Sequence, residues 1–149
     1  MDANDDRNRF LARYPVSRET LAGLDLYAEM LRRWQASINL VGPRTLEELW
    51  TRHFLDSIQL ADHIADARRV VDLGSGAGFP GMILALSLRS QPEVNVTLVE
   101  SNGKKVAFLR AVAAALHLPV IIRAGRIEDV VPTLGATDLV TARALASLT

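Results

Sequence analysis

The feature that most constrains this chain is a glycine-rich segment at residues 70–81, Val-Val-Asp-Leu-Gly-Ser-Gly-Ala-Gly-Phe-Pro-Gly. A short apolar, β-branched run comes first, glycines at alternate positions follow, and an apolar segment comes next. This order predicts a strand, a tight loop and a helix. Glycines let the loop adopt positive φ angles and approach a ligand closely, and the helix directs its free N–H groups to the same place. We therefore expect a ligand-binding loop.

The glycine spacing argues against two common phosphate-binding loops. The dinucleotide fingerprint G-x-G-x-x-G needs a small residue where this chain has Phe79. A P-loop needs Lys and then Ser or Thr after its last glycine, but Met82 and Ile83 follow Gly81. Asp72, shortly before the glycines, would repel a pyrophosphate and suits a ligand with an ammonium or sulfonium group. These residues predict S-adenosylmethionine as the cofactor.

A second acidic residue, Glu100, ends the next apolar run and follows Gly78 by about 20 residues. An acid at the end of the second strand of such a fold accepts hydrogen bonds from ribose hydroxyls. Asp72 and Glu100 thus bracket one glycine loop. The alternative is that both are ordinary turn residues at strand ends, but their combined spacing favours a ligand-binding role.

Composition excludes several classes of function. The length of 149 residues, with 49% hydrophobic and 23% charged residues, suits one globular domain. The absence of cysteine excludes thiolate metal sites and a cysteine nucleophile. No apolar run reaches membrane-spanning length and the N-terminus is acidic, so a cytoplasmic protein without a membrane or metal partner is expected.

The 17 basic and 17 acidic residues cancel, so RNA would have to meet a local basic patch. Any single patch is more simply explained as a solvated surface. The candidate patches are Arg7 with Arg9 and Arg13, Arg32 with Arg33, Arg68 with Arg69, and Lys104 with Lys105 and Arg110.

The chain divides at about residue 66. Residues 1–66 are predicted to form a helical region that packs on a sheet formed by residues 67–149. In the second region, apolar runs alternate with segments of helical periodicity, which predicts an α/β fold with a parallel sheet and right-handed crossovers. The predicted strands are 70–73, 94–99, 120–123 and 138–141, and the predicted helices are 81–88, 104–116 and 127–131.

Helix signals in the first region predict three helices. The first ends before Pro15, and the second begins at the N-cap Ser17. Thr45 and Glu48 have the spacing of a capping box, which predicts that a third helix begins there and runs to about residue 64.

His53 and Asp56 lie three residues apart on this third predicted helix, with Ser57 beside them. Side chains at that spacing can meet. We expect a hydrogen-bonded structural pair near the cofactor rather than a catalytic pair, because His and Asp often pair simply to satisfy their hydrogen bonds.

A resemblance to a known family is carried by residues 39–41, 52–57 and 71–81, and by the terminal segments Ala142-Arg143-Ala144 and Ala146-Ser147-Leu148. Together they resemble RsmG, also called glucose-inhibited division protein B, which methylates guanine N7 in bacterial small-subunit ribosomal RNA. The resemblance covers essentially the whole chain. It implies a class I methyltransferase with a Rossmann-like parallel sheet after N-terminal helices. The family's strand order is 3-2-1-4-5-7-6, so the last three strands are expected to be absent here.

The resemblance also implies roles for individual residues. No catalytic side chain is implied, because guanine N7 carries an exposed lone pair and needs only to be positioned. Small-subunit ribosomal RNA would be the partner. The implied cofactor site has Gly74 and Phe79 lining S-adenosylmethionine, Asp72, Gly76 and Gly78 shaping the loop, Glu100 on the ribose, Ile127 and Glu128 around the adenine, and Arg143 at the mouth.

Arg143 has two interpretations. It can hold a phosphate or hydrogen-bond guanine O6, since its guanidinium is a planar donor. The simpler alternative is a salt bridge at the end of the strand, with Glu128 or Asp72 as partner. The first interpretation is favoured.

Two other functions remain open at this point. One is a truncated, non-catalytic chain that binds RNA or a protein partner, because a sheet that ends after four strands leaves an open edge. Either the sequence is a fragment or a partner covers that side. The other is a nicotinamide-dependent oxidoreductase, against which Asp72 and Phe79 argue.

Overall fold

The computed structural model describes residues 2–64 and 66–143. Ser17 caps the second helix, because its side-chain oxygen accepts a hydrogen bond from the backbone N–H three residues later at 3.1 Å. The predicted break before Pro15 and the predicted N-cap are both confirmed. The two helices are α1 (Ala3–Arg13) and α2 (Arg18–Gln35).

The third predicted helix is wrong in its start and in its continuity. Pro43 occupies the first turn of the next helix, and Gly42 is the N-cap. Proline starts a helix readily, because its missing N–H would have no partner in the first turn. The Thr45 hydroxyl donates to the Gly42 carbonyl at 2.8 Å, and Glu48 pairs with Arg52 at 3.0 Å, so no capping box forms. The segments that replace one long helix are α3 (Pro43–Leu46), a π-helix (Leu49–Phe54), α4 (Leu55–Ile58) and a 3₁₀ helix (Gln59–His63).

Asp6, on α1, fixes the start of the π-helix. Its carboxylate is fully buried and accepts hydrogen bonds from the backbone N–H groups of Trp50 at 2.7 Å and Thr51 at 3.2 Å. The Thr51 hydroxyl also donates to it, at 2.6 Å. The first N–H groups of a helix lack intrahelical partners, and this carboxylate supplies them. The first helix of the chain thus positions the segment that carries His53.

Parallel strands form the sheet, as predicted. Those in the described part of the chain lie in the order β3-β2-β1-β4, which agrees with the first four positions of the expected strand order. Asp72 on β1 lies opposite Leu98 on β2 and Thr141 on β4. The strands are β1 (Arg69–Leu73), β2 (Asn95–Glu100), β3 (Ile121–Ala124) and β4 (Leu139–Ala142).

Helices connect the strands in sequence. The Asn102 side chain caps the helix after β2 by accepting from the N–H groups of Lys104 at 3.0 Å and Lys105 at 3.1 Å. These connections place every loop that follows a strand at one edge of the sheet. The connecting helices are α5 (Gly81–Ser87) after β1, α6 (Gly103–Ala115) after β2, and α7 (Ile127–Val130) with a 3₁₀ turn (Val131–Thr133) after β3.

One hydrophobic core joins the helical region to the sheet. Each large side chain that folding buries there contributes roughly 2 kcal/mol. Among the described helices, none combines the length and the apolar character needed to cross a membrane. The core members with the least exposure include Phe10, Leu24, Tyr27, Leu31, Trp50 and Phe54 from the helical region, and Val70, Met82, Ile83, Leu98, Phe108 and Leu109 from the α/β region.

Candidate functional site

A cleft of about 810 Å³ lies where the carboxyl ends of the strands meet the helical region. Ligands of open α/β sheets bind at this edge. Asp72 and Gly78 do not line the cleft, whereas the other predicted site residues do. The predicted residues that the structure brings together there are Gly74, Gly76, Phe79, Glu100, Ile127, Glu128 and Arg143.

The lining residues form two groups. The first, the sheet side, follows the ends of β1, β2 and β3. The second, the helix side, belongs to the N-terminal region, and Arg143 after β4 borders it. The sheet side consists of Gly74, Gly76, Glu100 and Ile127, and the helix side of Leu40, Val41, Gly42 and His53.

The glycine loop follows the strand–loop–helix pattern expected from the sequence. Gly76 has a φ of 56° and Gly78 a φ of 99°, conformations that side chains other than glycine rarely adopt. Gly78 faces the protein interior, where an added Cβ would collide with the Tyr27 hydroxyl. That hydroxyl donates to the Ala77 carbonyl and so holds the loop from inside. Gly78 therefore shapes the loop without touching the cleft.

Asp72 lies beneath the loop with no exposed surface. Its carboxylate accepts hydrogen bonds from the Gly81 N–H at 3.2 Å and the Thr141 hydroxyl at 2.9 Å. Burial raises the pKa of Asp72. These contacts tie β1, β4 and the start of α5 together, so Asp72 is a structural support. The attraction of Asp72 for a cationic ligand stays a prediction.

Of the two acids that bracket the glycine loop, Glu100 is the one that lines the cleft. One oxygen accepts from the Gly76 N–H at 2.7 Å and the other from the Asn102 N–H at 2.8 Å. A carboxylate has about four lone-pair positions, so each oxygen can accept a further hydrogen bond. Glu100 thus fastens the loop to the end of β2 and still offers acceptors to a ligand. Its bond to the loop could not be predicted from the spacing alone.

Three nearly parallel aromatic rings lead from the core to the cleft. The Tyr27 and Phe79 ring centroids are 5.7 Å apart with planes at 17°, and those of Phe79 and His53 are 5.0 Å apart at 11°. His53 Nε2 lies 2.9 Å from the Thr45 hydroxyl. Burial, followed by the nearby cation of Arg143, lowers the pKa of His53 to about 4. The imidazole on the wall of the cleft is therefore neutral at pH 7.

The expected pairing of His53 with Asp56 is wrong. Asp56 instead lies 3.5 Å from Arg143 Nη2, which also donates to the Arg52 carbonyl at 3.0 Å. The expectation assumed α-helical spacing, but His53 lies on a π-helix, which changes which side chains face each other. Ser57 is buried and does not line the cleft.

Arg143 does form a salt bridge, but with a different partner from those expected. Asp56 takes the place of Glu128 and Asp72. Glu128 lies 4.0 Å from Arg126, and Asp72 is enclosed beneath the loop. The other terminal segments of the family resemblance, Ala144 and residues 146–148, lie outside the described residues.

Sequence reasoning missed the segment 40–42 as part of the site, although residues 39–41 carry part of the family resemblance. The Gln35 side chain holds this segment: its Oε1 accepts from the N–H groups of Leu40 at 3.0 Å and Val41 at 3.1 Å, and its Nε2 donates to the Val41 carbonyl at 2.8 Å. A glutamine near the end of an amphipathic helix gives no signal of such a role. The other unpredicted lining residues are Ser75, Ala77, Val99, Ser101, Asn102, Lys105, Gly125 and Arg126.

The strand order, the glycine loop and the acid at the end of β2 define a class I methyltransferase fold. Solved structures agree: a putative O-methyltransferase from Klebsiella pneumoniae has a TM-score of 0.63 at 18% identity, over 90% of this chain and 57% of that one. The O-methyltransferase TomG from Streptomyces achromogenes, solved in complex with SAM, has a TM-score of 0.61 at 19% identity, over 93% and 59%.

The family model for rRNA small subunit methyltransferase G matches residues 20–149, and the chain belongs to this family. The ribosomal RNA small subunit methyltransferase G of Methylobacterium sp. (strain 4-46) is 54% identical over 144 residues, 96% of this chain and 68% of that protein. The protein of the same name from Paramagnetospirillum magneticum is 58% identical over 139 residues, 93% and 65%. The chain thus spans about two thirds of the length of these relatives. S-adenosylmethionine is the cofactor of the family, which favours a methyltransferase over a nicotinamide-dependent oxidoreductase.

Proposed function

We propose that this chain binds S-adenosylmethionine in the cleft and serves in the methylation of guanine N7 in small-subunit ribosomal RNA. The observation that carries the proposal is the Glu100 carboxylate, which fastens the glycine loop and keeps acceptor capacity towards the cleft. Family membership supplies the reaction class. Its relatives are named as methyltransferases of small-subunit ribosomal RNA. A ribosomal RNA substrate would place the protein in the cytoplasm.

The lining residues fit this cofactor. A cleft of about 810 Å³ lies within the usual range for small-molecule sites. Glu100 would accept hydrogen bonds from the ribose hydroxyls, as acids at this position do in related folds. Ile127 offers an apolar surface to the adenine and Glu128 lies beside it. Gly74 and Gly76 leave room for close approach because they carry no Cβ.

When bound, S-adenosylmethionine supplies a methyl group activated by its sulfonium. The protein then has to hold the acceptor in line with that group and to keep water away. Phe79 and His53 form an aromatic wall of the cleft, which would limit the access of water to the methyl group. Arg143 brings guanidinium donors to the mouth of the site, where guanine O6 or a phosphate can accept from them.

The test of cofactor binding is calorimetric titration of the chain with S-adenosylhomocysteine, together with thermal melting. We expect binding and a raised melting temperature. Glu100→Gln should weaken binding about tenfold, because the amide replaces one acceptor by a donor. Glu93→Gln is the matched control: Glu93 is exposed outside the cleft, and its replacement should change nothing. A folded chain that does not bind S-adenosylhomocysteine would overturn the proposal.

The test of methyl transfer uses small ribosomal subunits that lack the modification. The chain is incubated with these subunits and methyl-labelled S-adenosylmethionine, and labelled 7-methylguanine is sought in the digested RNA. We expect label at a single guanine. A chain that binds S-adenosylhomocysteine and small subunits but transfers no methyl group would instead be the non-catalytic, RNA-binding protein considered above.

A further inference from the structure

The strand order shows where the two ends of the cleft lie. Residues after β3 and β4 lie at opposite edges of the sheet, so Ile127 and Arg143 lie at opposite ends of the cleft. The sheet side carries the residues proposed for the ribose and adenine. The helix side, bordered by Arg143, carries no residue proposed for the nucleoside part of the cofactor and is the end available to a second ligand.

The wall of the helix side is apolar and held in place. Leu40 and Val41 are each 8% exposed, and Gln35 fixes their backbone by the three hydrogen bonds described above. Beside them the His53 ring lies parallel to Phe79. Flat heteroaromatic bases bind on such surfaces, where they stack on rings and pack against apolar side chains.

The hydrogen bonds of Thr45 decide where the proton of His53 lies. The Thr45 hydroxyl has one proton and donates it to the Gly42 carbonyl at 2.8 Å. Its contact with His53 Nε2 at 2.9 Å must therefore be one in which Thr45 accepts. Nε2 thus carries the hydrogen of the neutral ring, and Nδ1 carries a lone pair.

Within residues 2–64 and 66–143, three buried side-chain polar atoms lack hydrogen-bond partners. Ser57 Oγ belongs to a residue that does not line the cleft, whereas the acceptor His53 Nδ1 and the donor Arg143 Nη1 belong to residues that do. Nearly all buried polar atoms in native proteins have a hydrogen-bond partner, so an unpaired acceptor and an unpaired donor on residues that line the same cleft point to a ligand that presents the opposite pair. The Watson–Crick edge of guanine has this pair, since its O6 accepts and the adjacent N1–H donates.

We propose that His53 is a positioning residue for the methyl-acceptor base: guanine lies along the helix side, its N1–H donates to His53 Nδ1, and its O6 accepts from Arg143. This rests on the proposed function, because it assumes that the cofactor occupies the sheet side. In this orientation N7, on the other side of O6, keeps its lone pair free. Adenine carries a donor at position 6 and an acceptor at position 1, so its edge has the reverse order and does not fit.

The experiment observes the histidine rings of the ¹⁵N-labelled chain by NMR. The chain contains three histidines, His53, His63 and His117, so substitutions of His63 and His117 assign all signals. In the presence of saturating S-adenosylhomocysteine, we expect His53 as the Nε2–H tautomer. Guanosine 5′-monophosphate should shift its Nδ1 signal towards that of a hydrogen-bonded nitrogen and leave the other two rings unchanged. Adenosine 5′-monophosphate should bind more weakly and leave Nδ1 unchanged.

Variants separate the hydrogen bond to His53 from the packing of its ring on Phe79. His53→Ala removes both and should weaken binding of guanosine 5′-monophosphate about tenfold. His53→Phe keeps a ring, so its affinity for guanosine 5′-monophosphate should lie between those of His53→Ala and the wild type. It also tests the role of His53 if His53→Ala does not fold. His63→Ala is the matched control, because His63 is exposed and lies outside this cleft. His63→Ala should leave the affinities for guanosine 5′-monophosphate and for S-adenosylhomocysteine unchanged.

Several results would overturn this role for His53. They are the opposite tautomer, no response of His53 to guanosine 5′-monophosphate, equal binding of the adenosine nucleotide, or unchanged affinity in both His53 variants. Failure of the proposed function gives a different result, because a folded chain would then not bind S-adenosylhomocysteine at all.

Discussion

The sheet side and the helix side of the cleft are built by different kinds of contact. On the sheet side, backbone N–H groups hold the glycine loop in place: those of Gly74 and Ser75 donate to the Val99 carbonyl, and that of Gly76 donates to Glu100. On the helix side, single side chains hold the wall, as Gln35 holds Leu40. The sheet side therefore depends on backbone conformation. The helix side depends on individual side chains, whose hydrogen bonds a substitution removes.

Gly78→Ala should have the largest effect and should act on the sheet side. Residue 78 has a φ of 99°, which residues with a side chain rarely adopt. An added Cβ would collide with the Tyr27 hydroxyl and lie 2.9 Å from Met82 Cβ. We expect a loss of about 3 kcal/mol of unfolding free energy. Urea denaturation measures this loss of unfolding free energy. The surviving folded fraction should also bind S-adenosylhomocysteine more weakly, because the loop is displaced.

Gly103→Ala is the control for Gly78→Ala. Gly103 begins α6, and a Cβ there would meet nothing within 4 Å. Stability should stay the same or rise by about 0.5 kcal/mol. Equal losses in the two variants would show that the loop conformation is not what makes Gly78 necessary.

Asp6→Ala should have the next largest effect and should act on the helix side. It leaves the buried N–H groups of Trp50 and Thr51 without acceptors, which costs about 2 kcal/mol. The π-helix that carries His53 would lose its fixed start, so guanosine 5′-monophosphate binding should fall more than S-adenosylhomocysteine binding. Asp5→Ala, an exposed neighbour, should change stability by about 0.5 kcal/mol or less. If Asp6→Ala lost affinity for both ligands equally, the two sides would not be independent.

The contrast between the sides also explains what could be predicted from the sequence. The strands and the lining position of Glu100 follow from local signals: apolar runs, glycine spacing and the residue at a strand end. The order of the strands was implied by the family resemblance. On the helix side, Asp6 contacts Trp50 across 44 positions and Arg143 contacts Arg52 across 91. Periodicity carries no information on such contacts.

The prediction of a capping box was wrong for a similar reason. Thr45 and Glu48 have the right spacing, but Pro43 begins the helix earlier and leaves the Thr45 hydroxyl free to bind His53. The family resemblance did select His53 and its neighbours as a segment, since residues 52–57 belong to it. It gave no geometry for them. The π-helix then turned His53 towards Thr45 and away from Asp56, which sequence spacing could not show.

The smallest effect expected is the loss of stability between pH 7 and pH 6, the upper part of a pH dependence that isolates the helix side. The folded chain lowers the pKa of His53 to about 4 from an ordinary value of 6.5, so between these values the unfolded chain binds more protons. Stability should therefore rise with pH across this window, and be lost as the pH falls from about 6.5 towards 4. His53→Phe keeps the ring but cannot titrate, so it should lack this part of the loss.

Comparing the two proteins at each pH isolates His53, because Asp72, whose raised pKa acts in the opposite direction, is present in both. The measurement is the unfolding free energy in urea at several pH values, with His53 followed by NMR. Removing a nearby cation favours the protonated ring, so Arg143→Gln should raise the pKa of His53, whereas Asp56→Asn should lower it. If the wild type and His53→Phe lost stability in parallel as the pH fell, His53 would titrate normally. The helix side would then present a partly charged ring to its ligand at pH 6, and the neutral acceptor on which base positioning depends would be lost.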